Sequence, residues 1–179
     1  DIDAVQEQLY KKYNGYYYSF IHMIDLVMVG HNNSNLIDHP IKNIKDIDFY
    51  KEIKNIQYDN KISINGRPMK SYGVVCNTDK STNGGQHWFA LYFNFNSEGS
   101  LNDPYTLEYF NSSGNPIRNK DFQNFLLDLE NKLTKQLNKC VRFVQVTNIV
   151  HQGLEPGLMD ESGNCGAYAI YYIWSRLEG

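Results

Sequence analysis

The chain has 179 residues and a formal net charge of −3. A hydrophobic fraction of 41% and an aromatic fraction of 14% exclude a disordered chain and fit one domain with a sizeable core. No apolar run approaches the roughly 20 residues of a membrane span, residues 1–8 are too polar for a signal peptide, and the mild acidity weighs against a general nucleic-acid binder.

Residues 2–13 read as an amphipathic helix, with Val5, Leu9 and Tyr13 on one stripe. Residues 16–29 are a dense aromatic and aliphatic segment, a helix or strand buried against the main body. Residues 30–59 are polar, Asn-rich and loop-like, with short apolar returns at Ile41, Ile44, Ile47 and Phe49. Residues 1–65 are therefore expected to form an accessory N-terminal region packed on a core of residues 66–179. In that core, 72–77 is a short apolar strand and 78–86 a turn-rich loop. Residues 87–95 (HWFALYFNF) read as a buried strand, and 107–111 as the next one. Residues 121–138 form an amphipathic helix, in which Phe122, Phe125, Leu126, Leu129, Leu133 and Leu137 follow the 3.6 period. A strand at 141–149, a loop with Gly and Pro, and an apolar helix at 165–177 complete the chain. The order predicts an α+β domain, a mixed central sheet flanked by helices.

The cysteines are Cys76, Cys140 and Cys165. An odd, sparse set without CxxC makes neither a disulfide framework nor a zinc site, which points to reduced thiols in a cytosolic compartment. Cys165 stands out because it follows a polar loop and opens a hydrophobic helix. A helix N-terminus offers a thiol the positive end of the macrodipole and unpaired N–H groups, which favour thiolate. Gly166 beside it allows close approach of a substrate or a neighbouring backbone. A buried structural cysteine is the alternative reading there, and the favoured one for Cys76 and Cys140, which lie in or beside strands.

A thiolate nucleophile needs a base. Among His22, His31, His39, His87 and His151, only His87 begins a buried strand, where its ring sits at the sheet's end and Trp88 can wall a cleft. Asn111 ends the following strand. Its carbonyl can accept the Nδ1–H of His87 and orient the ring, although Asn111 is also a natural turn residue in Asn-Ser-Ser-Gly and the start of a glycosylation sequon discounted here. Asp103 is the alternative orienter. An oxyanion hole can come from the Cys165 N–H together with Gln152, or with Gln145 in reserve.

The order His87-Trp88, Phe110-Asn111-Ser112, His151-Gln152, Cys165-Gly166 resembles the adenovirus-type and ubiquitin-like-protein-specific cysteine protease superfamily. It looks closest to the maturation proteases of large DNA viruses of the African swine fever virus type, of virophages and of Polinton elements. The run Gly73 to Asp79, the run Gly84 to Leu91, and the Cys165-Gly166-x-Tyr168-x-Ile170-Tyr171 helix strengthen the viral side. The resemblance covers residues 71–177. It implies a papain-like, adenain-like core with the nucleophile at the N-terminus of a buried helix.

By position, the resemblance makes Cys165 the nucleophile, His87 the general base and then acid, Asn111 the orienter and Gln152 an oxyanion donor. Trp88 and Gly166 would contact substrate. The family often has Asp where Asn111 stands, and the 13 positions from Gln152 to Cys165 are more than usual. The implied reaction is cleavage of viral capsid or core precursors at Gly-Gly-X sites during virion maturation, in the virion and the cytoplasm of the infected cell. It requires no metal or organic cofactor. Cys140 is a candidate hook for an activating peptide, as in the adenovirus enzyme; DNA activation is disfavoured by the acidic charge. The competing readings are a deubiquitinating or deSUMOylating isopeptidase and a non-catalytic protease-like binding module. Asn, Lys, Ile and Tyr make up about a third of the chain against ordinary usage. Their A/T-rich codons suit a DNA virus of a protist.

Overall fold

The computed structural model describes residues 2–13, 18–22, 24–25, 28–29, 48–51, 71–146 and 164–179. The strands are β1 (Tyr18–His22), β2 (Met28–Val29), β3 (Ser71–Asn77), β4 (Trp88–Asn94), β5 (Tyr105–Phe110) and β6 (Val141–Gln145). The longer helices among the described residues are α1 (Ile2–Lys12), α2 (Lys120–Leu137) and α3 (Cys165–Glu178). The strands form one mixed sheet in the order β2-β1-β3-β4-β5-β6. β3, β4 and β5 run antiparallel as a meander, β1 lies parallel to β3, and β6 returns parallel to β5 after α2. The segment at 16–29, open between helix and strand from sequence, is strand over Tyr18–His22.

The central strands are covered on both faces, and so they read as continuous apolar runs rather than as alternation. All seven residues of β3 are buried. Along β4 the side chains still alternate in direction. Trp88 and Tyr92 face α3: Trp88 lies beside Gly166, and the Arg176 guanidinium sits 5.4 Å over the Tyr92 ring. Phe89 faces the other way, with its ring 5.7 Å from Phe122 of α2. Phe49 enters the core on edge, 5.0 Å from Tyr72 and 5.6 Å from Phe93.

α2 begins at Asn119, whose Oδ1 accepts the Phe122 N–H at 2.9 Å. It ends at Asn138 in the left-handed conformation (φ 51°). Its stripe of Phe122, Leu126, Leu129 and Leu133 is buried. α3 buries Cys165, Gly166, Ala169 and Ile173, which lie on one face of the helix. A buried carboxylate on β5 ties α3 to the sheet. Glu108 accepts Arg176 Nε at 2.6 Å and Nη2 at 2.9 Å, and the hydroxyls of Tyr172 and Thr106 at 2.6 Å each. Phe110 stacks on Tyr172 at 4.6 Å, and so the helix carrying Cys165 is fixed to the strand that leads to Asn111.

Candidate active site

The loop between β3 and β4 sets the position of His87. Asn77, buried at the end of β3, accepts the N–H groups of Asp79 and Gln86, both at 2.9 Å. Thr78 N–H donates to the His87 carbonyl at 2.8 Å and closes the neck of the loop. Asp79 gathers the tip: its carboxylate accepts Asn83 Nδ2 and the Lys80 and Gly85 N–H groups, and the Asn83 bond in particular holds its carboxyl below the usual range. Gly85 turns at φ +91°, a conformation open to glycine.

β4 and β5 pair antiparallel with Ala90 opposite Phe110. One residue further, Asn111 stands opposite Phe89 and diagonal to His87, a separation of about 7–8 Å that a long side chain can span. His87 Nε2 lies 2.7 Å from Asn111 Oδ1. The sequence reading paired Asn111 with Nδ1. In the structure the ring nitrogen that meets Asn111 is Nε2 instead. Asn111 is also the turn residue expected of Asn-Ser-Ser-Gly: its Oδ1 accepts Ser113 N–H at 2.9 Å and Ser113 Oγ–H at 2.7 Å, and its carbonyl accepts Gly114 N–H. The turn that uses Asn111 Oδ1 is thus also the one that holds it against His87.

Cys165 is the first residue of α3 and is buried. The backbone N–H of Trp88 points at its Sγ from 3.5 Å, and the sulfur thus lies against the residue next to His87. Asn164, the residue before the helix, makes no side-chain cap, unlike Asn119 at the start of α2. The first N–H groups of α3 therefore have no side-chain acceptor among the described residues and are suited to an oxyanion. Gly166 admits neighbours rather than open space: a methyl there would meet Ile2 Cδ1 at 3.2 Å and Trp88 Cδ1 at 3.5 Å.

Gln152 and His151 lie outside the described residues, as do His31 and His39. Gln145 stands exposed at the end of β6, paired with Tyr109, with β5 between it and β4. Asp103 sits before β5 at the sheet's opposite end, where its carboxylate accepts Glu98 N–H at 3.0 Å. Cys140 is at that far end too; its carbonyl accepts Tyr105 N–H. Cys76 is fully buried in β3, where desolvation pushes its thiol well above the usual range. All three cysteines are free. Among the described residues no cluster of His, Cys, Asp and Glu fits a metal ion, and no helix is long and apolar enough to cross a membrane. Beside the His87–Asn111 pair opens a cavity of about 430 Å³, lined in part by Gln86, Asn115 and Arg118. Sequence reasoning missed Asn77 and Tyr109, since each acts through contacts that no local pattern displays.

The arrangement has counterparts. The "SUMO-1 cysteine protease S273R" of African swine fever virus (isolate Tick/South Africa/Pretoriuskop Pr4/1996) is 33% identical over 112 residues, 63% of this chain. The "Cysteine protease S273R" of the Badajoz 1971 Vero-adapted strain matches to the same extent. The crystal structure of the African swine fever virus pS273R protease superposes with a TM-score of 0.64 at 26% identity, over 98% of this chain and 55% of that one. The chain is related by sequence and by fold to the African swine fever virus type of adenain-like cysteine protease. The α+β architecture, with a mixed sheet flanked by helices, is thus that of a papain-like protease. The chain spans 36% of the length of the curated relatives it matches. No family model matches it.

Proposed function

We propose that this chain carries the catalytic core of a viral cysteine endopeptidase, with residues 66–179 as that core and residues 1–65 as an accessory region. The observation that carries the reading is the 2.7 Å contact of His87 with Asn111, one residue from the backbone N–H that touches the Cys165 sulfur. Three groups on separate elements lie at one end of the sheet, which supports the roles that acyl transfer requires.

Asn111 Oδ1 only accepts, and so a neutral His87 carries its proton on Nε2 and offers Nδ1 to the thiol. His87 takes the Cys165 proton, and the sulfur attacks the scissile carbonyl. The oxyanion is held by the Cys165 N–H and by Gln152. His87 then gives its proton to the leaving amine as the thioester forms, and later activates water to release the acid. Trp88 and Gly166 border the acyl side. The substrates are capsid or core precursors cut at Gly-Gly-X sites during virion maturation, where small residues suit a cleft with a Trp wall. The site of action is the virion and the infected cytoplasm. An activating peptide would dock at Cys140, at the far end of the sheet.

The test is incubation with the co-encoded capsid proteins, followed by mass spectrometry of new termini. New termini after Gly-Gly, lost in Cys165→Ala, are expected; cleavage retained by Cys165→Ala would refute the assignment. A second reading, removal of a ubiquitin-like modifier, is favoured by the name of the swine fever virus relative, a SUMO-1 cysteine protease. Turnover of SUMO-conjugated reporters with none of the precursors would establish it instead.

A further inference from the structure

Tyr109 is 2% exposed, at the end of β5, and two hydrogen bonds meet on its hydroxyl. The hydroxyl lies 2.7 Å from the Asn115 carbonyl and 3.0 Å from Asn111 Nδ2. A carbonyl only accepts, and so the single Tyr109 proton goes to Asn115. The oxygen is then left as an acceptor, and Asn111 must present its NH₂ to it. That choice turns Oδ1 toward His87. A flipped amide would place Oδ1 against a hydroxyl whose proton is committed, and would aim NH₂ at the Ser113 N–H. We propose that Tyr109 is a positioning residue of the active site: by fixing which way the Asn111 amide points, it selects the His87 tautomer with the proton on Nε2 and the base at Nδ1.

Other features support the role. Burial raises the Tyr109 hydroxyl to about 12, and so it stays protonated and a donor at neutral pH. Its ring is held 5.3 Å from Phe89, and the hydroxyl cannot swing away without moving the core. The Asn115 carbonyl that receives the proton belongs to the same turn as Asn111, and so strand and turn fix the amide from both sides. Ser113 backs the same orientation through its N–H. Loss of the Tyr109 hydroxyl alone is therefore a partial loss, of the size of one neutral hydrogen bond, about 5-fold in kcat.

The proposal rests on the protease reading only for its kinetic consequence. The first measurement needs no activity. In ¹⁵N-histidine spectra of the neutral imidazole, His87 should show the Nε2–H tautomer, and Tyr109→Phe, which keeps the ring, should give a mixture. An Nδ1–H tautomer in the unsubstituted chain, or an unchanged ratio in Tyr109→Phe, overturns the proposal whatever the turnover. The second is a double-mutant cycle. Tyr109→Phe should lower kcat about 5-fold with KM within 2-fold, and should add no further loss on top of Asn111→Ala, which has no amide to orient. An equal loss in both backgrounds means that Tyr109 acts on the fold or on the neighbouring cavity, and sinks the route through Asn111. A chain with no peptidase activity but with the tautomer shift would defeat the protease reading and leave this one standing.

Discussion

Removing Arg176 leaves a charge stranded in the sheet. Its guanidinium is the cationic partner the structure gives to Glu108, whose side chain is 5% exposed, and the pair is bidentate at 2.6 and 2.9 Å. Breaking a buried pair from one side costs about 3–5 kcal/mol, since the remaining ion keeps its desolvation penalty. Two facts reduce that here. The Arg176 side chain is itself 35% exposed, and the carboxylate keeps the Tyr172 and Thr106 hydroxyls. We therefore expect Arg176→Ala to cost about 2–3 kcal/mol, a fall in Tm of about 4–12 °C for a chain of this size. The double variant Glu108→Gln/Arg176→Met removes both charges and keeps the volume; it should recover more than half of that loss. Urea and thermal melts of the set give the numbers. The anchor lies near the C-terminal end of α3, away from Cys165, and so kcat of the folded fraction should stay within 2-fold. A loss below about 1 kcal/mol, or a double variant as damaged as Arg176→Ala, would show that packing of Phe110 on Tyr172 holds α3 and that the ion pair does not.

Asn77→Ala frees the Asp79 and Gln86 N–H groups at the root of the loop before His87. Loss of two backbone bonds on a buried acceptor is expected to cost about 2 kcal/mol and to lower kcat about 10-fold through misplaced imidazole; an unchanged kcat in denaturant-free buffer would place His87 under the control of β4 alone. Glu178 accepts Lys12 Nζ, Tyr13 Oη and Trp174 Nε1, and so ties the end of α1 to the end of α3. Its carboxyl is held down at about 2, chiefly by Lys12. A depressed carboxyl stabilises above its unfolded value of 4.5 and loses that contribution as pH falls toward about 2. Glu178→Gln should therefore lower Tm at pH 7 and converge with the unsubstituted chain near pH 2; a constant difference down to pH 2 would contradict the tether.

The core of the sheet was legible because its side chains obey short periods. The 3.6-residue stripe of residues 121–138 became α2, Lys120–Leu137, and the apolar run after His87 became β4, Trp88–Asn94. Neither pattern names a partner. Nothing in residues 16–29 says that β1 lies beside β3, or that it runs parallel to it, since a parallel neighbour is reached through a crossover and not through a turn. The pairing of β4 with β5 was legible, because one turn joins them and antiparallel register then brings His87 near Asn111 without further information.

The same limit explains the error at His87. Sequence supplies the residue types of a His–Asn pair, but the ring nitrogen that meets the amide is settled by side-chain geometry, and in the structure it is Nε2. It explains the omission of Tyr109 as well. Alternation marks Tyr109 as a core residue, and so it is; its hydroxyl matters only because Asn115, six residues on, turns a carbonyl back to meet it. A buried tyrosine needs a partner for its O–H, and here that requirement is met by the turn that also presents Asn111. Turning the Asn111 amide toward His87 therefore does not require a dedicated set of residues. It follows from the satisfaction of polar groups at the end of β5, which the fold has to achieve in any case.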